Sequence, residues 1–281
     1  VFLIVAASGA LNVASVASVF KKTLYKPLSR LSGLLAMSLL VGGLLVLVLD
    51  LGRPDRLIIA MTYYNFKSIF AWNIFLYTGL LVVVAVYLWM MFEPRMNRFI
   101  GGVGKIAFIW RLVLTTGTGS IFGVLVAREA FGSVVLIPMF IAMSLSFGTA
   151  VMLLAIILIF RLSRVSVKDE VIMRLRPLLA YFVIAVAFFV AVDHLTRLYV
   201  AGDNGVERFL LVEGGIYPAL FWAGQCLLGT VIPVIMLLTP RLAGRLPTVV
   251  ASLLVLLGAF AQLYVLIVGG QAFPMDIFPG F

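Results

Sequence analysis

Residues 31–49 read LSGLLAMSLLVGGLLVLVL, nineteen positions without a charge, an amide or a proline. At 1.5 Å per residue a helix of this length rises about 28 Å, close to the roughly 30 Å of hydrocarbon in a bilayer. Apolar residues fill every face, whereas a helix at an aqueous surface would show a polar stripe. A barrel strand would alternate apolar and polar positions, and this stretch does not. On either side of it, comparable runs occupy 2–20, 68–92, 106–126, 134–160, 178–199, 217–238 and 248–268. The expectation is an all-α integral membrane protein of about eight transmembrane helices. Composition agrees: 64% of the 281 residues are hydrophobic and only 11% charged, against about 25% charged in a soluble domain. The mean hydropathy is +1.21.

The first run has neither a basic leading segment nor a small-residue cleavage site, so it reads as a span rather than a signal peptide. Because the sequence begins in apolar residues at Val1 and stops in a Pro/Gly-rich stretch at Phe281, further helices beyond either end are compatible with it.

A formal charge of +10 would suit a nucleic-acid partner, but the positions of the bases say otherwise. One set of loops holds Lys21, Lys22, Lys26, Arg30, Arg95, Arg98, Lys105, Arg161, Arg164, Lys168, Arg174, Arg176, Arg241 and Arg245. The opposite set holds Arg53, Arg56, Lys67, Arg128 and Arg208; Arg111 and Arg197 fall within spans. The positive-inside rule puts the richer set in the cytoplasm and both given ends outside. The expected partner is a lipid membrane, read as the prokaryotic cytoplasmic (inner) membrane, and no nucleic acid is expected.

Asp50-Leu51-Gly52-Arg53 closes the second span and Asp193-His194-Leu195-Thr196-Arg197 closes the sixth. Phe70-Ala71-Trp72 then opens the third, as Leu220-Phe221-Trp222 opens the seventh. The offset of four spans suggests two parallel-related four-helix bundles, residues 1–133 and 134–281.

Several chemistries are excluded by count. A membrane-embedded haem b usually takes two axial histidines, and His194 is the single histidine. A cysteine-ligated iron–sulfur cluster needs about four thiolates, and Cys226 is the one cysteine. No haem, no iron–sulfur cluster and no metal site are expected in this chain, so a redox role requires a bound organic carrier and a partner's centres. No lysine lies mid-span for retinal.

Ionisable residues inside a membrane are costly and default to functional candidates. Asp193 and Arg197, four apart, share a helix face, with Asp193 about 9 Å inside the boundary at 1.5 Å per residue. They could be a self-satisfied ion pair at a helix end. They could also form, with His194, a polar pocket that binds and deprotonates a quinol, since histidine suits proton exchange near neutral pH. Asp193 and His194 are the catalytic candidates; Arg197, Glu129 and Glu213, at similar depth, complete a quinone-binding set. Arg111 either snorkels to the cytoplasmic interface or, with Thr115 and Thr118 continuing its face at i+4 and i+7, lines a proton path. The outer loop carrying Asp50, Arg53, Asp55, Arg56 and Lys67 breaks the charge rule, and with Tyr63 and Tyr64 it forms a candidate docking surface.

Asp50-Leu51-Gly52-Arg53-Pro54-Asp55-Arg56, then Asn65-Phe66-Lys67-Ser68 and Trp72, resemble a conserved region of the NrfD/PsrC family, the membrane anchors of polysulfide reductase-type complexes. Glu213-Gly214-Gly215-Ile216-Tyr217-Pro218, Phe221-Trp222 and Gly229 with Pro233 resemble a second such region. Within the family these motifs are most similar to DsrP-type anchors of sulfite-reductase-associated complexes, with HybB-type anchors next. The resemblance implies an eight-to-ten-helix, haem-free subunit of a quinone-dependent oxidoreductase complex of anaerobic sulfur respiration, not catalytic alone. It implies a quinone or quinol, menaquinone in particular, as the carrier. It also implies a ferredoxin-like iron–sulfur subunit on the outer face, with further membrane and cytochrome subunits. A secondary transporter is the alternative; such proteins place sites near the midplane, whereas the charges here crowd one edge.

Overall fold

The computed structural model describes residues 1–12, 28–63, 67–125, 128–163, 169–199 and 204–274. Among these every regular element is helical. The main helices are α1 (Phe2–Ala10), α2 (Ser29–Asp50), α3 (Ile69–Phe92), α4 (Ile100–Gly123), α5 (Leu136–Ser163) and α6 (Asp169–Tyr199). Two more, α7 (Ile216–Leu238) and α8 (Arg245–Ala272), follow. Seven of the described helices are long and apolar enough to cross a membrane. The far end of the first expected span, residues 13–20, lies outside the described residues, as do Lys21, Lys22, Lys26, Tyr64, Asn65, Phe66, Arg164 and Lys168.

The largest departures in boundary are at α4 and α6. Helix α4 starts at residue 100 instead of 106. Helix α6 starts at 169 instead of 178, because Asp169 and Glu170 occupy its first turn, where carboxylates favour the positive end of the helix dipole. Glu170 also pairs with Arg174 one turn on, at 2.7 Å. Hydropathy marks the segment that matches hydrocarbon, and a helix runs on into water wherever local pairs support it.

Helix α5 is the hub, packed against α1, α4, α6 and α8. Helix α2 lies against α1 and α3, α3 against α4, and α7 against α6 and α8. Lipid tails are as apolar as leucine, so helix association here depends on close packing rather than on removal from water. The α1–α5 crossing shows how close. A Cβ on Gly9 would stand 1.6 Å from the Ser144 carbonyl oxygen, and one on Gly148 would stand 2.0 Å from the Gly9 carbonyl carbon. Phe140, Met143 and Phe147 of α5 then fill the interior around that contact.

At one end of the bundle Arg176 of α6, 4% exposed, closes the last turn of α7. Its Nη2, with two hydrogens, is shared among the Met236, Thr239 and Leu242 carbonyls, and the Met236 carbonyl is one of those that the end of α7 leaves without a helical partner. At the other end the chain between α6 and α7 forms a short helix, Asn204–Arg208, and a wider turn, Phe209–Glu213. Gly215, with φ of +66°, then reverses the chain into α7, a conformation a side chain would resist.

Candidate functional site

The last two turns of α6 hold the densest set of buried charges among the described residues. Arg197 Nε stands 3.2 Å from Asp193 Oδ2, the i,i+4 pair expected, with both side chains about 5% exposed. His194 Nδ1 stands 2.7 Å from Oε2 of Glu207, whose side chain is fully buried. Glu207 Oε1 also lies 3.8 Å from Arg197 Nε, and Arg197 Nη1 donates to the Glu129 carbonyl at 3.2 Å. Phe221 of α7 meets the His194 ring edge-on at 4.8 Å. Two carboxylates therefore share one guanidinium and one imidazole, and the cluster is charge-balanced when His194 carries a proton.

A cavity of about 30 Å³ lies among these groups, lined also by Gln225 and Gln262. Asp193 Oδ1, Arg197 Nη2 and Glu207 Oε1 make no hydrogen bond to any described residue. That is the donor and acceptor set an ordered water needs, and the volume suits one or two waters. It is an order of magnitude below the roughly 300–1,000 Å³ of a small-molecule site. A second space of about 20 Å³, bounded by Ser146 and Thr230, shares the Gln225 and Gln262 walls and continues the polar seam toward the bundle centre.

The structure thus brings Asp193, His194 and Arg197 together and separates the two glutamates expected beside them. The Glu129 side chain is exposed, and only its carbonyl reaches Arg197. Glu213 pairs instead with Arg208 at 2.6 Å on the surface, because the turn that buries Leu210 carries residue 213 to the outside. The carboxylate in the cluster is Glu207, which sequence reasoning passed over. Its signal was faint: Val206, Glu207 and Leu210 lie on one inward face of a segment too short to show a period.

Arg111 does not snorkel. It lies eleven residues into α4, about 17 Å along it, and is 2% exposed. Its Nη1 donates to the Ser8 carbonyl at 3.3 Å, and its guanidinium stacks over Phe108 at 4.8 Å. Thr115 and Thr118 are buried on the same face. Thr115 Oγ1 meets Ser8 Oγ at 2.7 Å, and Thr118 Oγ1 meets the Tyr77 hydroxyl at 3.4 Å. Both threonines also donate to carbonyls one turn back.

Asp50, Arg53, Asp55, Arg56 and Lys67 are all exposed, around a tight turn in which Gly52 takes φ of +63°. This turn lies at the same end of the bundle as the Asp193 cluster: Asn73, near the start of α3, bonds Gly117 near the end of α4, and Arg128, just beyond α4, bonds Gln271 at the end of α8. Among the described residues no three His, Cys, Asp or Glu side chains converge as a metal site.

The family pattern described as polysulphide reductase, NrfD, matches residues 1–275. The chain belongs to the NrfD family. It is 29% identical over 279 residues to the Hdr-like menaquinol oxidoreductase integral membrane subunit of Archaeoglobus fulgidus, covering 98% of this chain and 69% of that one. It is 26% identical over 265 residues to the C subunit of the Wolinella succinogenes polysulfide reductase, covering 86% and 82%. To Protein NrfD of Escherichia coli it is 25% identical over 252 residues, covering 79% and 77%. The two stretches that carried the NrfD resemblance now have places. Residues 50–56 form the exposed turn after α2. Residues 213–218 form the reversal into α7, whose Phe221 packs on His194.

Proposed function

We propose that this NrfD-family chain is the haem-free membrane subunit of a respiratory complex in a prokaryotic inner membrane, with both given ends outside. It exchanges electrons between a quinol pool, menaquinol in particular, and an iron–sulfur partner docked on the Asp50–Lys67 turn. One observation carries the reading: a buried Asp193–His194–Arg197–Glu207 cluster enclosing a water-sized cavity at the end of the bundle that bears that turn. The names of the relatives from A. fulgidus and W. succinogenes support the oxidoreductase class.

A quinol releases two protons as its two electrons leave, so the protein must offer a proton acceptor that water can reach. His194 supplies one. With Nδ1 donating to Glu207, its Nε2 is the lone pair that takes the proton, and Glu207 stabilises the resulting cation. Arg197 holds the charges of Asp193 and Glu207 in place while that proton comes and goes. The cavity suits water more than a ring, so Asp193 and His194 act as proton-handling groups here. Arg197 positions them, and the surface carboxylates of Glu129 and Glu213 have no part. The polar seam past Gln225 and Gln262 favours proton movement linked to this step, while Arg111, Thr115 and Thr118 belong to the other half of the bundle.

The test uses the assembled complex. His194→Ala and Asp193→Asn should each lower quinol oxidation by about 10²-fold or more, the usual contribution of a positioned acid–base group. The iron–sulfur partner should still copurify in both. Normal turnover in both variants would refute the assignment.

A further inference from the structure

The lipid-facing seam between α3 and α4 holds a groove of about 600 Å³, lined by Trp72, Phe75, Ile109, Trp110 and Val113 among others. Its size falls within roughly 300–1,000 Å³, the range of small-molecule sites. Polar groups in its walls are already engaged. Trp110 Nε1 donates to the Leu76 carbonyl at 3.0 Å, and Ser120 Oγ to the Thr116 carbonyl at 2.8 Å. Asn73 donates from Nδ2 to the Ile69 and Gly117 carbonyls, and its Oδ1 is sealed from the groove. Length and apolar surface, rather than hydrogen bonds, are what an occupant must bring.

The side of α4 that lines the groove begins at a basic end. Ile109, Val113, Thr116 and Ser120 share that side, and Lys105 stands one turn before Ile109 on the same face. Arg98 lies two turns before Lys105, with its guanidinium over the half-exposed Phe99 ring at 4.6 Å. Between these two exposed bases the surface is bare: a Cβ on Gly101 or Gly102 would meet nothing within 4 Å. Neither base forms an ion pair with a described residue. Residues 93–105 hold three bases, Arg95, Arg98 and Lys105, against one acid, Glu93, a net charge of +2. Helical side chains lean toward the helix N-terminus, so Lys105 reaches back toward Arg98. From Ile106 to Ser120 the groove runs about 21 Å along α4, more than half of the roughly 30 Å of hydrocarbon.

We propose that this surface seats one anionic phospholipid of the surrounding bilayer. Its phosphate lies over the bare turn between Arg98 and Lys105, and one acyl chain lies in the groove against Phe75 and Trp110. Basic residues at a seam between membrane helices suit such headgroups. A zwitterionic lipid would fill the groove equally well but bring no net charge to the bases, so the headgroup selects. The mouth of the site is at the ends of α3 and α4 remote from the Asp50–Lys67 turn, and the site is independent of the quinol reading.

Native mass spectrometry of the full chain purified in detergent tests it, with phosphatidylglycerol and phosphatidylcholine of identical acyl chains as probes. The wild type should bind one phosphatidylglycerol about thirtyfold more tightly than phosphatidylcholine, the effect of two bases on one anionic headgroup. Arg98→Gln and Lys105→Gln should each weaken phosphatidylglycerol by about fivefold and leave phosphatidylcholine unchanged. Ile109→Trp and Val113→Trp, at exposed wall positions, fill the groove and should weaken both lipids by about tenfold or more, through steric exclusion of the chain. Arg241→Gln, which removes an exposed base between α7 and α8, should change neither lipid. Equal affinity of the wild type for the two lipids would overturn the headgroup site. An equal loss in Arg241→Gln would also overturn it, by assigning the preference to the charge of the whole surface. Full affinity for both lipids in Ile109→Trp and Val113→Trp would overturn the groove as the seat of the chain.

Discussion

Arg197→Met is the substitution whose cost the structure sets most sharply. Two carboxylates, Asp193 at 3.2 Å and Glu207 at 3.8 Å, face one guanidinium, and all three side chains are 6% exposed or less. Methionine keeps much of the volume and removes the cation, leaving two buried negative charges with His194 as their remaining counter-group. Removing one partner of a buried pair costs about 3–5 kcal/mol. At roughly 2–4 °C per kcal/mol for a chain of this order, that lowers the unfolding midpoint by about 6–20 °C. The assay is thermal unfolding of the purified subunit in one detergent, followed by intrinsic fluorescence. The double variant Arg197→Met with Glu207→Gln separates electrostatics from packing. Removing one of the stranded charges should restore about 1–3 kcal/mol relative to the single variant, a coupling typical of groups in contact. A midpoint within about 2 °C of wild type, less than the loss of even one kcal/mol would give, would refute the reasoning. So would a double variant less stable than the single by the full Glu207→Gln cost.

Three further outcomes follow from other parts of the molecule. Gly148→Val should lower the same midpoint by several degrees, since its Cβ would stand 2.0 Å from backbone and overpacking costs about 1–3 kcal/mol or more. Gly101→Ala, whose Cβ meets nothing within 4 Å, is the matched control and should be neutral or slightly stabilising. Arg53→Glu on the exposed turn should reduce copurification of the iron–sulfur partner while leaving the stability of the isolated chain within about 0.5 kcal/mol, as surface changes usually do; crosslinking of this turn to a cytoplasmic subunit would contradict the proposed orientation. A reduced-minus-oxidised spectrum of the subunit freed of cytochrome partners should lack a haem b α-band, because one histidine cannot supply two axial ligands.

Membrane spans are legible in this sequence because hydrocarbon imposes one rule on every residue that enters it. A run such as 31–49 can satisfy its backbone only as a helix, and Ser29–Asp50 is that helix. The Asp193–Arg197 pair is legible for a similar reason: a spacing of four on a helix is a distance, known before any tertiary contact forms. Glu207 and Glu213 show where that logic stops. They are six residues apart in one connecting segment, and nothing local separates a carboxylate that is fully buried against His194 from one that meets Arg208 at the surface. The wide turn at Phe209–Glu213 and the reversal at Gly215 decide which of them faces inward. Arg111 is the same case within a helix. Its depth follows from counting residues once the start of α4 is known, but its inward direction depends on α1 packing close enough for the Ser8 carbonyl to receive it. Which segments enter the membrane, and which charges share a helix face, are therefore properties of the amino-acid order. Which carboxylate completes the cluster is a property of the packed bundle, because burial of a charge depends on neighbours that arrive from other helices.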